Sequence, residues 1–320
     1  MFEIQETRLS QSGQCDSHDM QVTRTAAGIV IFNPDRDSLA TLVRRIASEV
    51  EAVLIYANSA VDAALEATLR AGAGPGGVTI LGGGGNVGLG VAYNALLAES
   101  LNRRADFLLI FDQDSLSPPG MAQQLSEIHR SLTEIGERPA AIGPRFTDGR
   151  GIPMWPRLRN RDAAPSGVAA TKVECVISSG SLIDVAAARE VGPFRDDFFI
   201  DAIDVEWCMR ATSRGFSIWV ARDVLMEHEI GIGVIEGPLG LRLPYHPPLR
   251  TYTLIRNQAS MLTMSHIPLR YKCKVVLFLP LRMAIYLFHG RFARPLRHAI
   301  WRGLVDGLLH RLGPPSARLR

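Results

Sequence analysis

Cysteine is scarce in this chain of 320 residues: four, at positions 15, 175, 208 and 273, with neither a CxxC pair nor a dense framework. That scarcity excludes a disulfide-stapled secreted module and a zinc ribbon, and it points to a reducing, cytoplasmic setting. Long apolar runs are missing too. The longest, Val275–Phe288, is broken by Pro280 and Arg282 and falls short of the roughly 20 residues that cross a bilayer. Residues 1–24 are polar, without the apolar stretch of a signal peptide, and read as a loose leader. Nor does one charge dominate: 35 Lys and Arg face 32 acids, a balance of +3 that argues for no nucleic-acid partner. No internal repeat is visible.

What remains is the composition of an ordinary folded domain, 47% hydrophobic and 21% charged. Ala26–Phe32, Ala52–Tyr56, Val78–Leu81 and Phe107–Phe111 are short, apolar throughout and rich in β-branched residues, and helical periodicity separates them. Strands of that kind alternating with helices predict an α/β fold, a mainly parallel sheet with helices on both faces. A helix follows Pro118, then a strand at AAIGP. Residues 145–170, rich in Pro, Gly and Arg, read as a long functional loop. Regular structure resumes at Glu174–Ile177, a helix follows Asp184, and WVARDVLMEH is a further strand. From about Pro247 the pattern is helical. The organisation expected is a leader (1–24), a catalytic domain (25–246) and a basic, apolar helical extension (247–320) suited to an anionic membrane surface.

Parallel sheets bind ligands beyond the carboxyl ends of their strands. Those ends carry Asn33, Asn58, the glycine run Gly82–Gly85, Asp112 and Asp114. Two acids placed two apart after a buried strand suit Mg²⁺ or Mn²⁺ bridging a diphosphate, and equally suit a turn. The run GGGNVG matches a dinucleotide fingerprint, but it follows the third strand and leaves Asp114 without a task. Asn86 within it can contact a phosphate or cap a helix. In FFIDAIDVEWCMR, Asp201, Asp204 and Glu206 lie among aromatics, where desolvation would raise a carboxyl toward the range of a general base; an acidic helix start is the other reading. His228 ends a strand near these acids and can be a ligand or a packed residue. Arg250, Arg256 and Asn257 share part of one helical face, where arginine suits phosphate and equally suits water.

The ordered set LLIFDQDS, GNVGLGVAYN, ISSGSLID, GPFRDDFFIDAIDVEWCMR, HEIG and RN resembles glycosyltransferase family two, and within it the bacterial rhamnosyltransferases. The resemblance spans about residues 26–257. It implies the GT-A fold, a divalent metal (Mg²⁺ or Mn²⁺) and a nucleoside diphospho-sugar donor. It assigns Asp114 and His228 to the metal, Asp112 to the nucleotide and Asp204 to the catalytic base. Ile203 stands where the family carries an acid before that aspartate. Asn33, Asn58, Gly85, Asn86, Gly88 and Gln113 become donor contacts, and Arg256 and Asn257 face the diphosphate. The implied reaction is inverting transfer of L-rhamnose from dTDP-L-rhamnose to a lipid-linked oligosaccharide or glycolipid in cell-surface polysaccharide assembly. A rhamnolipid-type acceptor is the alternative, and an NAD(P)-dependent oxidoreductase is the competing class. The enzyme is expected in the cytoplasm, peripheral on the inner membrane surface.

Overall fold

Every residue of the first strand, β1 (Thr25–Ile31), is buried, as an apolar strand covered on both faces must be. The computed structural model describes residues 23–147, 167–227, 233–236 and 242–315. In chain order the elements are β1, α1 (Arg36–Ile46), β2 (Ala52–Ala57), α2 (Ala63–Ala71), β3 (Val78–Gly82), α3 (Leu89–Asn102), β4 (Phe107–Asp112) and α4 (Met121–Glu134). These are followed by β5 (Pro139–Thr147), β6 (Ala170–Val173), β7 (Ser181–Asp184), α5 (Val185–Val191), α6 (Ile203–Ser213) and β8 (Ser217–Glu227). A two-stranded hairpin, β9 (Gly233–Glu236) and β10 (Arg242–Tyr245), precedes α7 (Pro248–Met261), α8 (Leu269–His289) and α9 (Arg294–Leu308).

Eight strands form one sheet in the order β3-β2-β1-β4-β7-β5-β8-β6. The first four are parallel; β7 runs antiparallel between β4 and β5, and β6 runs antiparallel to β8. One face packs Val30, Leu54, Leu108 and Ile110 against α3, α5 and α6. The other packs Ile29, Ile55, Leu109 and Phe111 against α1, α2 and α4. A separate cluster joins α7, α8, α9 and the hairpin through Ile255, Leu279, Tyr286 and Ile300. Helix starts follow local chemistry: Asp35, Asp62 and Asp184 accept backbone N–H groups three residues on, at 2.9, 2.8 and 2.7 Å.

One expectation changes. Glu174–Ile177 is not regular structure; pairing occurs on either side of it, in β6 and β7, because residues 174–180 make a turn that reaches across to β4 and α6. The helical pattern expected after Pro247 holds, and α8, 21 residues in all, runs through Pro280. Among the described residues no helix is long and apolar enough to cross a membrane.

Candidate active site

β1 and β4 are paired as far as Val30 and Asp112, so the residues beyond them emerge side by side. Asp112 is half-buried and Asp114 exposed. Gln113 between them is not free to meet a donor: its Oε1 accepts from the Phe32 N–H (2.7 Å), and its Nε2 donates to the Phe32 carbonyl (3.3 Å). The pair presents hard oxygen donors, the chemistry Mg²⁺ or Mn²⁺ requires, and Asp114 is open to water as a ligand of such an ion must be. Among the described residues no three potential ligands cluster. His228 lies outside them, as does most of the 145–170 loop. Glu227, which precedes His228, forms a backbone bridge to Leu116, two residues past Asp114.

The asparagines divide. Asn33 is exposed at the same edge, with φ of 45° and its N–H held by Ser59 Oγ at 2.8 Å. Asn58, expected to line a base pocket, is buried, and its amide is spent on the glycine loop: Oδ1 accepts from Val87 N–H (3.1 Å) and Nδ2 donates to the Gly88 carbonyl (3.3 Å). Asn86 Oδ1 accepts from Gly88 N–H at 3.0 Å, so it caps the loop, while Gly85 faces open space. Gly88 sits at φ 91°, and a Cβ there would lie 2.5 Å from the Phe199 carbonyl. One at Gly90 would lie 2.2 Å from the Arg195 carbonyl. These glycines let the start of α3 press on the 195–199 turn, where Leu89 N–H donates to the Phe199 carbonyl at 2.6 Å. The fingerprint therefore follows β3, an edge strand, and closes against protein backbone.

Asp204 stands in the first turn of α6. Its Oδ1 accepts from Val205 N–H (2.8 Å) and its Oδ2 from Ser178 N–H (3.3 Å). Burial lifts its carboxyl to about 6 against these hydrogen bonds, with the nearby Asp201 charge acting in the same direction as burial. Such a group is mostly ionised at neutral pH yet basic enough to take a proton. The same turn ties it to the other acids: Ser179 Oγ accepts from the Asp112 N–H (3.2 Å) and lies 2.7 Å from Ser115 Oγ, while Gly180 N–H donates to the Ile110 carbonyl (2.7 Å). The buried Tyr93 phenol is raised by desolvation and by the Asp112 charge, and it bonds to Ser178. Sequence reading assigned no task to Ser178, Ser179 or Tyr93. The signal was the Ser-Ser-Gly-Ser run beside an apolar segment, which reads as a turn once it is not counted as strand.

The turn before Asp204 is strained. Phe199, Asp201 and Ala202 have φ of 65°, 67° and 60°, sparsely populated positive values that cost residues with a Cβ on the order of 1–3 kcal/mol each. It is held from α7. Arg256 and Asn257, expected at the diphosphate, are 1% and 0% exposed. Arg256 Nη2 donates to the Phe198 (2.8 Å) and Asp197 (3.2 Å) carbonyls, Nη1 to that of Gly313 (2.6 Å), and Nε to Asn257 Oδ1 (3.0 Å). Asn257 Nδ2 serves the carbonyls of Phe198 (3.1 Å), Ile200 (2.8 Å) and Asp201 (2.8 Å). Buried polar groups must find partners, and here the partners are backbone, in place of a donor phosphate. The Asp201 carboxylate takes Arg250 Nη2 (3.0 Å) and Thr253 Oγ1 (2.7 Å). Arg250, Arg256 and Asn257 do share a face, as expected, and Thr253 joins them.

A groove of about 1180 Å³ lies at the opposite edge of the sheet, among Thr25, Asp106, His129 and Asp184. It is at the amino ends of β1 and β4 and meets none of the acids above.

No protein-family model matches the chain. It is 27% identical over 259 residues to dTDP-rhamnosyl transferase RfbF of Shigella flexneri, covering 79% of this chain and 84% of that protein. Its fold is similar to that of S. aureus TarS 1–349 in complex with UDP-GlcNAc (TM-score 0.56, 14% identity, 90% of this chain and 82% of that one). It is also similar to the mannosyltransferase PcManGT from Pyrobaculum calidifontis in complex with GDP-Man and Mn²⁺ (TM-score 0.54, 14% identity, 90% and 88%). A mainly parallel sheet with acids at its carboxyl edge, this relative and these folds converge on one statement: the chain is a glycosyltransferase of the GT-A fold.

Proposed function

We propose that this glycosyltransferase moves L-rhamnose from dTDP-L-rhamnose, with inversion, to a hydroxyl of a lipid-linked oligosaccharide or glycolipid. The observation that carries the reading is Asp204: a carboxyl raised to about 6 and tied through the 178–180 turn to the acids that end β4. The donor is supported by the relative's name. Asp204 takes the proton from the acceptor hydroxyl as its oxygen attacks the anomeric carbon. The bond to the diphosphate breaks on the opposite side of the ring, so no covalent enzyme intermediate forms. Asp114, with His228, would hold a divalent ion, which when bound offsets charge on the departing diphosphate, and Asp112 is assigned to the nucleotide. Asn33 and Gly85 remain candidates for contact with the nucleotide.

The acceptor class is supported by the outer surface of α8 and α9. Leu269, Leu277 and Phe288 on α8 and Trp301 on α9 are 65–76% exposed. Asp306 is the one acid between Leu269 and Pro315, against a row of bases that includes Lys272, Arg291, Arg294 and Arg297. Exposed apolar side chains interspersed with bases along the chain suit the surface of an anionic membrane.

The test is a thermal-shift panel of nucleotides and nucleotide sugars, with and without Mn²⁺, followed by measurement of dTDP release. dTDP-L-rhamnose with metal should give the largest rise in Tm and the fastest release. A preference for UDP or GDP sugars would overturn the donor, and stabilisation by NAD in place of these would overturn the class.

A further inference from the structure

We infer that α7, through the stripe Arg250, Thr253, Arg256 and Asn257, is the positioning device for the base: it holds the 197–202 turn in the one conformation that sets Asp204. This inference rests on the assignment of Asp204 as base. Four facts carry it. The turn contains three residues with side chains at positive φ, Phe199, Asp201 and Ala202, and such conformations persist only where their surroundings over-determine them. Each carbonyl from Phe198 to Asp201 that Asn257 reaches belongs to this turn, and so does the Asp201 carboxylate that Arg250 and Thr253 share. Ala202 is the residue before α6, with no side-chain cap, so the direction in which that helix leaves, and the place of Asp204 in its first turn, follow from the turn's backbone. Finally, the braces are themselves anchored from α9.

That anchor is a close backbone approach. A Cβ at Gly303 would lie 2.7 Å from the Tyr252 carbonyl, and one at Gly307 would lie 2.3 Å from the Arg256 carbonyl. Between these glycines Asp306 Oδ2 accepts from the Tyr252 hydroxyl at 3.0 Å. Beyond α9, Gly313 N–H donates to the Asp197 carbonyl (2.6 Å), and the Gly313 carbonyl accepts from Arg256. The extension is thus wired to the turn that precedes the base, and a helix outside the sheet sets the geometry of chemistry at the sheet's edge.

The experiment compares the full chain with Asn257→Asp, which keeps the size of the side chain and removes its donors, and with the milder Arg256→Lys. Both are tested for donor KM, kcat, the pH profile of kcat and amide hydrogen exchange. Expected for Asn257→Asp is a loss of tenfold or more in kcat with donor KM within twofold of wild type. The acidic limb of the profile should move to lower pH as Asp204 gains water. Amides of residues 199–206 should exchange at least tenfold faster while β1 to β4 keep their protection. Arg256→Lys should show the same pattern, smaller. A rise in donor KM with kcat unchanged would overturn the inference in favour of a diphosphate contact. Faster exchange throughout the chain with an unmoved pH profile would overturn it in favour of plain core packing. Exchange does not need turnover, so an inactive wild type with a loosened 199–206 segment would refute the assigned reaction and leave the brace standing.

Discussion

The acids at the end of β4 and the acid at the start of α6 are all aspartates, and their surroundings differ. Asp114 is exposed just beyond the end of a regular strand, where a cation can reach it. Asp204 is drawn back behind a strained turn, where burial raises it to about 6 and backbone N–H donors, those of Val205 and Ser178 foremost, oppose that rise. The difference teaches that position along a fold chooses between holding charge and exchanging protons: an open strand end favours the first, a desolvated helix start the second.

The sharpest way to break this contrast is to remove each carboxylate in turn. Asp204→Asn should lower kcat by about 10²–10⁴, the range for losing a general base, with nucleotide affinity retained by titration calorimetry. Asp114→Asn should instead weaken metal-dependent donor binding by at least about tenfold, a value reached even when an outer-shell partner of a metal is lost. If the two variants fell in the same parameter, the division would collapse.

A smaller effect concerns pH. A base raised to about 6 is charged above that value and protonated below it, so activity should hold at neutral pH and fall to half near pH 6 as the proton returns. Asp114→Asn should leave that limb where it is; a limb that moved with it would tie the titration to the strand end. Smaller again, Gly90→Ala should cost about 1–3 kcal/mol in denaturant unfolding, because its Cβ would meet the Arg195 carbonyl. An unchanged midpoint would show that the turn before Asp204 yields easily. Last, Leu277→Glu with Phe288→Glu should cut partition to anionic vesicles by about tenfold, while transfer to a short soluble acceptor stays at the wild-type rate. Equal partition would remove the α8 surface from the account.

Legibility in the sequence followed the same division. β1 to β4 and the helices between them could be read because apolar periodicity reports burial directly, and the acids of β4 because strand ends are marked by where that periodicity stops. Glu174–Ile177 misled for the same reason: Cys175 and Val176 are buried like strand residues, but the backbone there turns toward Asp204 and Asp112. Asn58, Gln113, Arg256 and Asn257 were legible as polar residues near a site and not as to their partners. An amide that will bond a carbonyl of its own chain and one that will bond a ligand are the same letter; only the fold shows which acceptor arrives first.

Gln113 draws a last consequence from that rule. Its amide meets both the N–H and the carbonyl of Phe32, as a residue of a neighbouring strand would, so a side chain supplies one more rung to the β1–β4 ladder after the main chain has turned away. The middle residue of Asp-Gln-Asp is thus sewn into that seam by its side chain, as Asp112 is by its backbone, and Asp114 is left exposed beyond it. An acid in the middle could accept from Phe32 but would have no hydrogen for its carbonyl, and Asn would fall a methylene short. The middle letter of the triplet is thus set by the sheet.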